Sequence, residues 1–243
     1  MPEPITLEVC IDNVHGLAAA IEGGADRIEL CSALDIGGLT PSVGLLRAAA
    51  SNTVPVVAMI RPRGGDFCFD ELETRLMLDD IDAVADAGLQ GVVLGASTPD
   101  GQLDARTLER LLRRAMDHGL RCTLHRAIDL CPDLAQATEL AVDLGFERIL
   151  SSGGARSAPD GIEGLQRCFE AAAGRIAIMP GAGISADNVD LLRARLPLTD
   201  IHASCSAPLP PASPQVLAFG FDSGARRQTG SAKVAALKAK LRA

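Results

Sequence analysis

Along the chain, short apolar runs alternate with longer stretches of helical periodicity. Ile5-Thr6-Leu7-Glu8-Val9-Cys10 alternates apolar and polar side chains as a strand does, and Asp12 or Asn13 then stands where a helix reaching Glu22 takes its N-cap. The pattern recurs at Arg27–Cys31, Val54–Arg61, Gly91–Gly95, Arg121–Arg126, Arg148–Ser152, Arg175–Met179 and Asp200–Ser204, which makes eight strands in all. Helical patterns fill the intervals: Thr40–Ala50, Asp70–Ala87, Asp104–His118, Asp133–Leu144, Ile162–Ala173 and Asp187–Leu196. Gly88, Gly119 and Gly145 follow three of these helices, where a C-cap favours a residue tolerant of positive φ.

Strict βα alternation predicts a parallel sheet, and eight such units close most naturally into a (β/α)8 barrel, the TIM barrel of the α/β class. An open doubly wound sheet is the competing architecture. Against it, the first βα turn, Cys10-Ile11-Asp12-Asn13, lacks a glycine-rich dinucleotide fingerprint. No linker interrupts the eight strands, so residues 1–243 are expected to form one domain. The exception in texture is 206–230, rich in Pro, Ser and Gly, which is expected to be a long loop, as a lid or a disordered segment, ahead of a closing C-terminal helix.

In a parallel barrel one side of each strand meets the helices and the other faces the axis, so polar residues within apolar runs mark the inward set. With Leu7, Val9, Ile28, Leu30, Ile201 and Ala203 turned to the helices, Glu8, Cys10, Glu29, Cys31, His202 and Ser204 turn inward, as do Arg61 and His125. All lie late in their strands, at the C-terminal mouth where barrels place their active sites. Buried carboxylates at positions 8 and 29 need cationic or metal partners, and Arg61, Arg63 and Arg126 are available. Two arrangements satisfy this: a salt-bridged plug, or a functional pocket. In a pocket, Glu8 or Glu29 is the candidate base and His125 the acid, with Arg61 and Arg63 holding an anionic substrate. Glu8, Glu29, His125 and His202 also make an oxygen and nitrogen set suited to a hard divalent ion. His15 and His118, on helices, are expected to be structural, and Cys122 and Cys168 to be small buried hydrophobes.

Two glycine clusters follow later strands: Ser151-Ser152-Gly153-Gly154 and Gly181-Ala182-Gly183. They are either ordinary tight turns or a phosphate cradle of exposed amides, helped by Arg63, Arg126 or Arg156. On the second alternative Ser152, Gly153, Gly154, Gly181 and Gly183, together with His202 and Ser204, bind the substrate.

Composition narrows the partners. A net charge of −8 with no Trp or Tyr disfavours nucleic acid and anionic membranes, leaving small molecules or ions. Seven cysteines without a CxxC pair argue for free thiols rather than a disulfide framework. Met1-Pro2-Glu3-Pro4 shows no basic cluster or apolar run of a leader, and no stretch has the length of a membrane span, so a cytoplasmic location is expected.

Several segments, in order, resemble the CutC family: Arg27-Ile28-Glu29-Leu30-Cys31, Gly37-Gly38-Leu39-Thr40-Pro41-Ser42, Met59 to Phe67, His125-Arg126-Ala127, Ser152-Gly153-Gly154 and His202-Ala203-Ser204. The likeness runs from residue 5 to about 205 and fades beyond Ser204. Phe69 stands where the family usually carries Tyr, removing a phenol; Leu124 replaces a usual Phe and Ser151 a usual Thr. The resemblance implies a barrel, copper handling in the cytoplasm and a small homo-oligomer such as a dimer. Copper as the implied ligand points to soft donors: Cys10 and Cys31, with Cys205 and a thioether from Met59 or Met179 in support. The alternative is an enzyme acting on a small anionic, sugar-like or phosphate-like substrate at the mouth, by fold-level analogy, or a binding module without turnover.

Overall fold

The computed structural model describes residues 4–222 and 224–242. Residues 1–3, on which the expectation of a missing leader rests, and position 223 within the expected loop lie outside them.

Eight parallel strands form the barrel wall: β1 (Thr6–Ile11), β2 (Arg27–Leu30), β3 (Val56–Met59), β4 (Gly91–Leu94), β5 (Arg121–Leu124), β6 (Arg148–Ser151), β7 (Ala177–Pro180) and β8 (Asp200–Ala203). Hydrogen-bonded ladders run in the order β7-β6-β5-β4-β3-β2-β1-β8. β7 and β8 lie side by side to close the circle, with no ladder between them among the described residues. Around this wall stand α1 (Val14–Glu22), α2 (Val43–Ala50), α3 (Glu71–Asp86), α4 (Ala105–Asp117), α5 (Leu134–Leu144), α6 (Ile162–Ala172) and α7 (Val189–Arg193). The expected (β/α)8 barrel is the observed fold.

Helix starts follow side-chain chemistry. Asn13 Oδ1 accepts from the Gly16 amide at 2.9 Å to cap α1, and Asp70 and Glu73 form a reciprocal capping box on α3. Gly145, at φ 87°, ends α5 in the left-handed conformation foreseen for it. Three boundaries are tighter than periodicity indicates. α7 stops at Arg193, and the chain goes on in turns to Leu196, whose amide donates to Leu192 O at 2.9 Å, ahead of Pro197. Pro55 has no N–H to give and stays outside β3. Arg175 lies in the turn that follows α6, its amide donating to Ala172 O at 2.8 Å, so β7 starts later than expected.

The core divides as the alternation requires. Leu7, Val9, Ile28, Leu30, Ile201 and Ala203 join the large cluster between wall and helices, whereas Cys31, Val57, Met59 and Val93 form a small separate cluster. The segment expected as a long loop instead carries β9 (Ser206–Pro208), α8 (Pro214–Ala218) and β10 (Arg227–Thr229), with β9 and β10 antiparallel, before α9 (Ser231–Arg242). A cavity of about 670 Å³ lies between this segment and the mouth, touching Cys10, Leu34 and Ser204.

Candidate functional site

Register places the inward residues. β1 pairs with β8 so that Glu8 is level with His202, and with β2 so that Cys10 is level with Glu29. Side chains two apart on a strand share a face, so Glu8, Cys10, Glu29 and His202 meet on the axis. His202 Nδ1 lies 2.8 Å from Glu8 Oε1, and its Nε2 lies 3.7 Å from Glu29 Oε2. Below them, Arg27 Nε donates to Glu8 Oε2 while its Nη2 donates to Asp200 Oδ1 at 2.7 Å. Arg148 Nε reaches the same Asp200 oxygen at 3.2 Å. The axis therefore carries alternating charge from Arg148 through Asp200, Arg27, Glu8 and His202 to Glu29.

This order sets the proton affinities. Burial pushes the Glu8 carboxyl up, but its hydrogen bond to His202 and the Arg27 charge outweigh that and hold it at about 2. Glu29, at the top, is raised to about 7: burial dominates and Glu8 adds to it, against the lowering by His202. His202 is raised well above its usual value, since burial is overcome by the Cys10 sulfur and by the two glutamates. Two carboxyls on one axis are thus driven apart, one ionised and one available to titrate near neutrality.

Above the axis lies a cavity of about 390 Å³, lined among others by Cys10, Glu29, Arg61, Phe67, His125 and His202. His125 begins a short 3-10 turn, Arg126–Leu130, and its Nδ1 accepts from the Ala127 amide at 3.2 Å. An accepting Nδ1 places the proton of the neutral ring on Nε2. Burial, and next the Arg61 charge, lower this imidazole to about 3, so it is neutral across the physiological range. Gly95 makes room for it: a Cβ there would stand 2.5 Å from the ring. Arg61 donates to the carbonyls of Ile36 and Gly38, both at 3.0 Å, and of Gly65 at 2.8 Å. It forms no ion pair among the described residues. Phe67 lies beside both groups, 4.7 Å from the His125 ring and 4.9 Å from the Arg61 guanidinium carbon.

Four buried side-chain atoms among the described residues have no hydrogen-bond partner: Glu29 Oε1, Arg61 Nε, His125 Nε2 and Ser97 Oγ. Buried polar groups are normally paired, and three of these four belong to residues lining one cavity. That coincidence marks the mouth as a place where a ligand supplies the missing partners.

Several of the groups proposed from sequence for an anion have partners within the chain. The Asp129 carboxylate accepts from the amides of Ser152 at 3.0 Å and Gly154 at 3.1 Å, and from the hydroxyls of Ser151 at 2.6 Å and Ser152 at 2.8 Å. Gly153 N donates to Ser151 Oγ at 2.9 Å, and Gly181 N to Ser151 O at 2.9 Å. The cradle exists, but an acid of this chain fills it. Arg126, although it lines the cavity, spends its fork on Asp129 at 2.8 Å and Ser152 Oγ at 2.7 Å. Arg63 pairs with Asp66 and Glu73, away from the cavity. Gly183 and Ser204 do line it, and Ser204 Oγ lies 3.0 Å from Ser206 Oγ.

The thiol pair expected for copper is not the group that converges on the axis. Donor atoms of Cys10, Glu29 and His202 lie within 4.8 Å of one another, and Cys31 is not among them. Burial, with Glu29 beside it, pushes the Cys31 thiol well up, so it stays protonated. One sulfur, one nitrogen and one carboxylate do not make the soft set that Cu(I) prefers. Among the other imidazoles, exposed His15 sits on α1 and His118 pairs with Asp82 at 2.8 Å. Sequence reasoning missed Arg27, Asp129, Arg148 and Asp200 as partners. The spacing of Arg126 and Asp129, one turn apart, was the legible signal for one of them.

Comparison with known proteins accords with this geometry. The family model described as "CutC family" matches residues 5–207. The chain belongs to the CutC family. A CutC family protein of Rhizobium meliloti (strain 1021) is 55% identical over 237 residues, 98% of this chain and 96% of the relative. One from Caulobacter vibrioides (strain NA1000 / CB15N) is 50% identical over 241 residues, 98% of each. The crystal structure of a CutC protein from Streptococcus agalactiae superposes with TM-score 0.77 at 32% identity, covering 82% of this chain and 98% of that one. Phosphoribosyl anthranilate isomerase from Thermotoga maritima, at TM-score 0.59 and 13% identity over 98% of both chains, shares the fold alone. The family match ends at residue 207, so most of the segment from β9 onward lies beyond it.

Proposed function

We propose that this CutC family protein is an enzyme that moves a proton on a small polar substrate held in the barrel mouth, with Glu29 as general base. The observation that carries this is the Glu29 carboxyl, buried in the cavity wall with Oε1 unpartnered. A base works best when its affinity for the proton matches the working pH, and a carboxyl raised to about 7 meets that condition. His202, held by Glu8, supports the Glu29 carboxylate after ionisation, and Arg61 with His125 faces the charge left on the substrate. Glu8 is a positioning residue here, since Arg27 and His202 occupy its oxygens. No helix is long and apolar enough to cross a membrane and the cysteines of the chain are free, which supports a cytoplasmic setting. A small homo-oligomer without nucleic-acid or membrane partners completes the proposal.

In heavy water, the wild-type protein is expected to exchange a carbon-bound hydrogen in a panel of small hydroxy acids, sugars and their phosphate esters, followed by proton NMR. Glu29→Gln, with an unchanged circular dichroism spectrum, is expected to exchange at least about 10²-fold more slowly. Equal rates in the two proteins, or no exchange by wild type across the panel, overturn the assignment.

A second proposal, copper handling, has the convergence of Cys10, Glu29 and His202 in its favour and their single sulfur against it. On the enzyme proposal, wild type and the Cys10→Ser/Cys31→Ser double variant bind Cu(I) equally weakly in competition with a chromophoric chelator. Loss of one tight equivalent in the double variant decides for copper instead.

A further inference from the structure

The enzyme proposal leaves the substrate open, and the two unpartnered donors that line the same cavity as Glu29 narrow it. Arg61 Nε and His125 Nε2 are both buried and both lack an acceptor, and their side chains flank the same Phe67 ring. A neutral imidazole donating through Nε2 polarises a carbonyl without giving up its proton. Arg61 adds a positive charge that no carboxylate of the described residues compensates, its three hydrogen bonds going to backbone carbonyls. Donors of this kind, fixed in a water-poor wall, stabilise negative charge that develops on an oxygen during reaction.

The amides that follow β6 are not open to a phosphate. Barrels commonly hold a phosphate at the amides following their later strands. Here the Asp129 carboxylate already receives the amides of Ser152 and Gly154 and the hydroxyls of Ser151 and Ser152, and Arg126 neutralises it. A phosphate brought to that cradle would meet a buried carboxylate of like charge.

We infer that the substrate is a carbonyl compound without a phosphate group, such as a free sugar or a short hydroxyketone, whose carbonyl oxygen accepts from Arg61 Nε and His125 Nε2. This rests on the proposed role of Glu29. The C–H bond beside the carbonyl breaks and its proton passes to Glu29 Oε1. The electron pair left on carbon forms the C=C bond of an enolate, and the carbonyl π pair moves onto the oxygen held by the two N–H groups. Return of the proton to the same carbon regenerates the starting compound; where that carbon bears a hydroxyl, delivery of the proton to the former carbonyl carbon, with the hydroxyl proton passing to the enolate oxygen, shifts the carbonyl one position along the chain.

The test follows exchange of the hydrogen beside the carbonyl in heavy water. The probes are dihydroxyacetone, hydroxyacetone and free aldoses and ketoses, each sugar or triose paired with its phosphate ester. The free compounds are expected to exchange at least about tenfold faster than their esters. His125→Leu is expected to slow exchange by about 10²–10³-fold, the usual effect of removing one such donor. Gly95→Ala, which retains the imidazole but places a methyl group 2.5 Å from it, is expected to slow it as well. Melting curves accompany both variants, so a fold defect in one leaves the other informative. Faster exchange of the esters, or unchanged rates in a folded His125→Leu protein, overturns the inference. If Glu29→Gln still abolishes exchange in that case, the general-base proposal stands without it. Exchange that is insensitive to Glu29→Gln as well removes both.

Discussion

Arg27→Met is expected to lower the unfolding free energy by about 3–5 kcal/mol, the cost of removing one partner from a buried ion pair. Among the described residues Arg27 alone bonds both Glu8 and Asp200, and both carboxylates lie inside the barrel with side-chain exposures of 0% and 9%. Methionine retains the apolar stem but leaves Glu8 dependent on His202 and Asp200 dependent on Arg148. Urea denaturation gives the measurement, with the slope checked against wild type so that a change in midpoint is a change in stability. Adding Glu8→Gln and Asp200→Asn to Arg27→Met should recover much of the loss, because the two acids that Arg27 paired are then uncharged and Arg148 keeps Glu147 as its partner. A loss below about 1 kcal/mol in the single variant would place these side chains in contact with water, contrary to the burial described.

Stability should also depend on pH through Glu29, with a sign opposite to that of most carboxyls. Its folded value of about 7 exceeds the unfolded 4.5, so in that interval the native protein binds a proton that the unfolded chain has released. Its contribution is complete below pH 4.5 and disappears as the pH rises to about 7. At roughly 1.4 kcal/mol per unit this amounts to something on the order of 3 kcal/mol. Glu8 works the other way: held at about 2, it stabilises above pH 4.5 and its contribution is lost as the pH falls towards 2. His202, raised well above 6.5, contributes in a higher window and is lost with rising pH. Glu29→Gln isolates the first effect, since glutamine does not titrate. Relative to wild type, the variant should gain in melting temperature between pH 4.5 and 7.5. A constant difference across that range would mean that Glu29 keeps an ordinary carboxylate affinity.

Much of the wall was legible because alternation in a parallel strand has one physical meaning. Once Leu7 and Val9 face the helices, Glu8 and Cys10 have only the axis to face, and the observed register makes Glu8 level with His202 and Cys10 level with Glu29. Partner choice was less legible. Asp129 reaches residues more than twenty positions away, and only the folded turn after β5 brings it under the glycines that follow β6. Arg27 begins its strand and looks from sequence like a boundary residue, yet its long side chain runs inward to Glu8 and Asp200. Cys31 shared a face with Cys10, but its level on β2 lies beyond Glu29, where it packs with Met59, Val57 and Val93 and stays out of the donor group of Cys10, Glu29 and His202. The segment from 206 to 230 lacks a hydrophobic period long enough to announce β9, α8 or β10, each of which has five residues or fewer.

The unlaced seam between β7 and β8 has a bearing on the imidazole at position 202. Of the two neighbours of β8, only β1 grips its backbone, so the strand carrying His202 hangs like a door from one hinge. Glu8, on that hinge strand, also grips the ring itself, and Arg27 reaches across to both Asp200 on β8 and the Met179 sulfur on β7. Side chains thus do the stitching that amides do elsewhere in the wall, and the charge state of the axis becomes a determinant of how firmly the barrel stays shut.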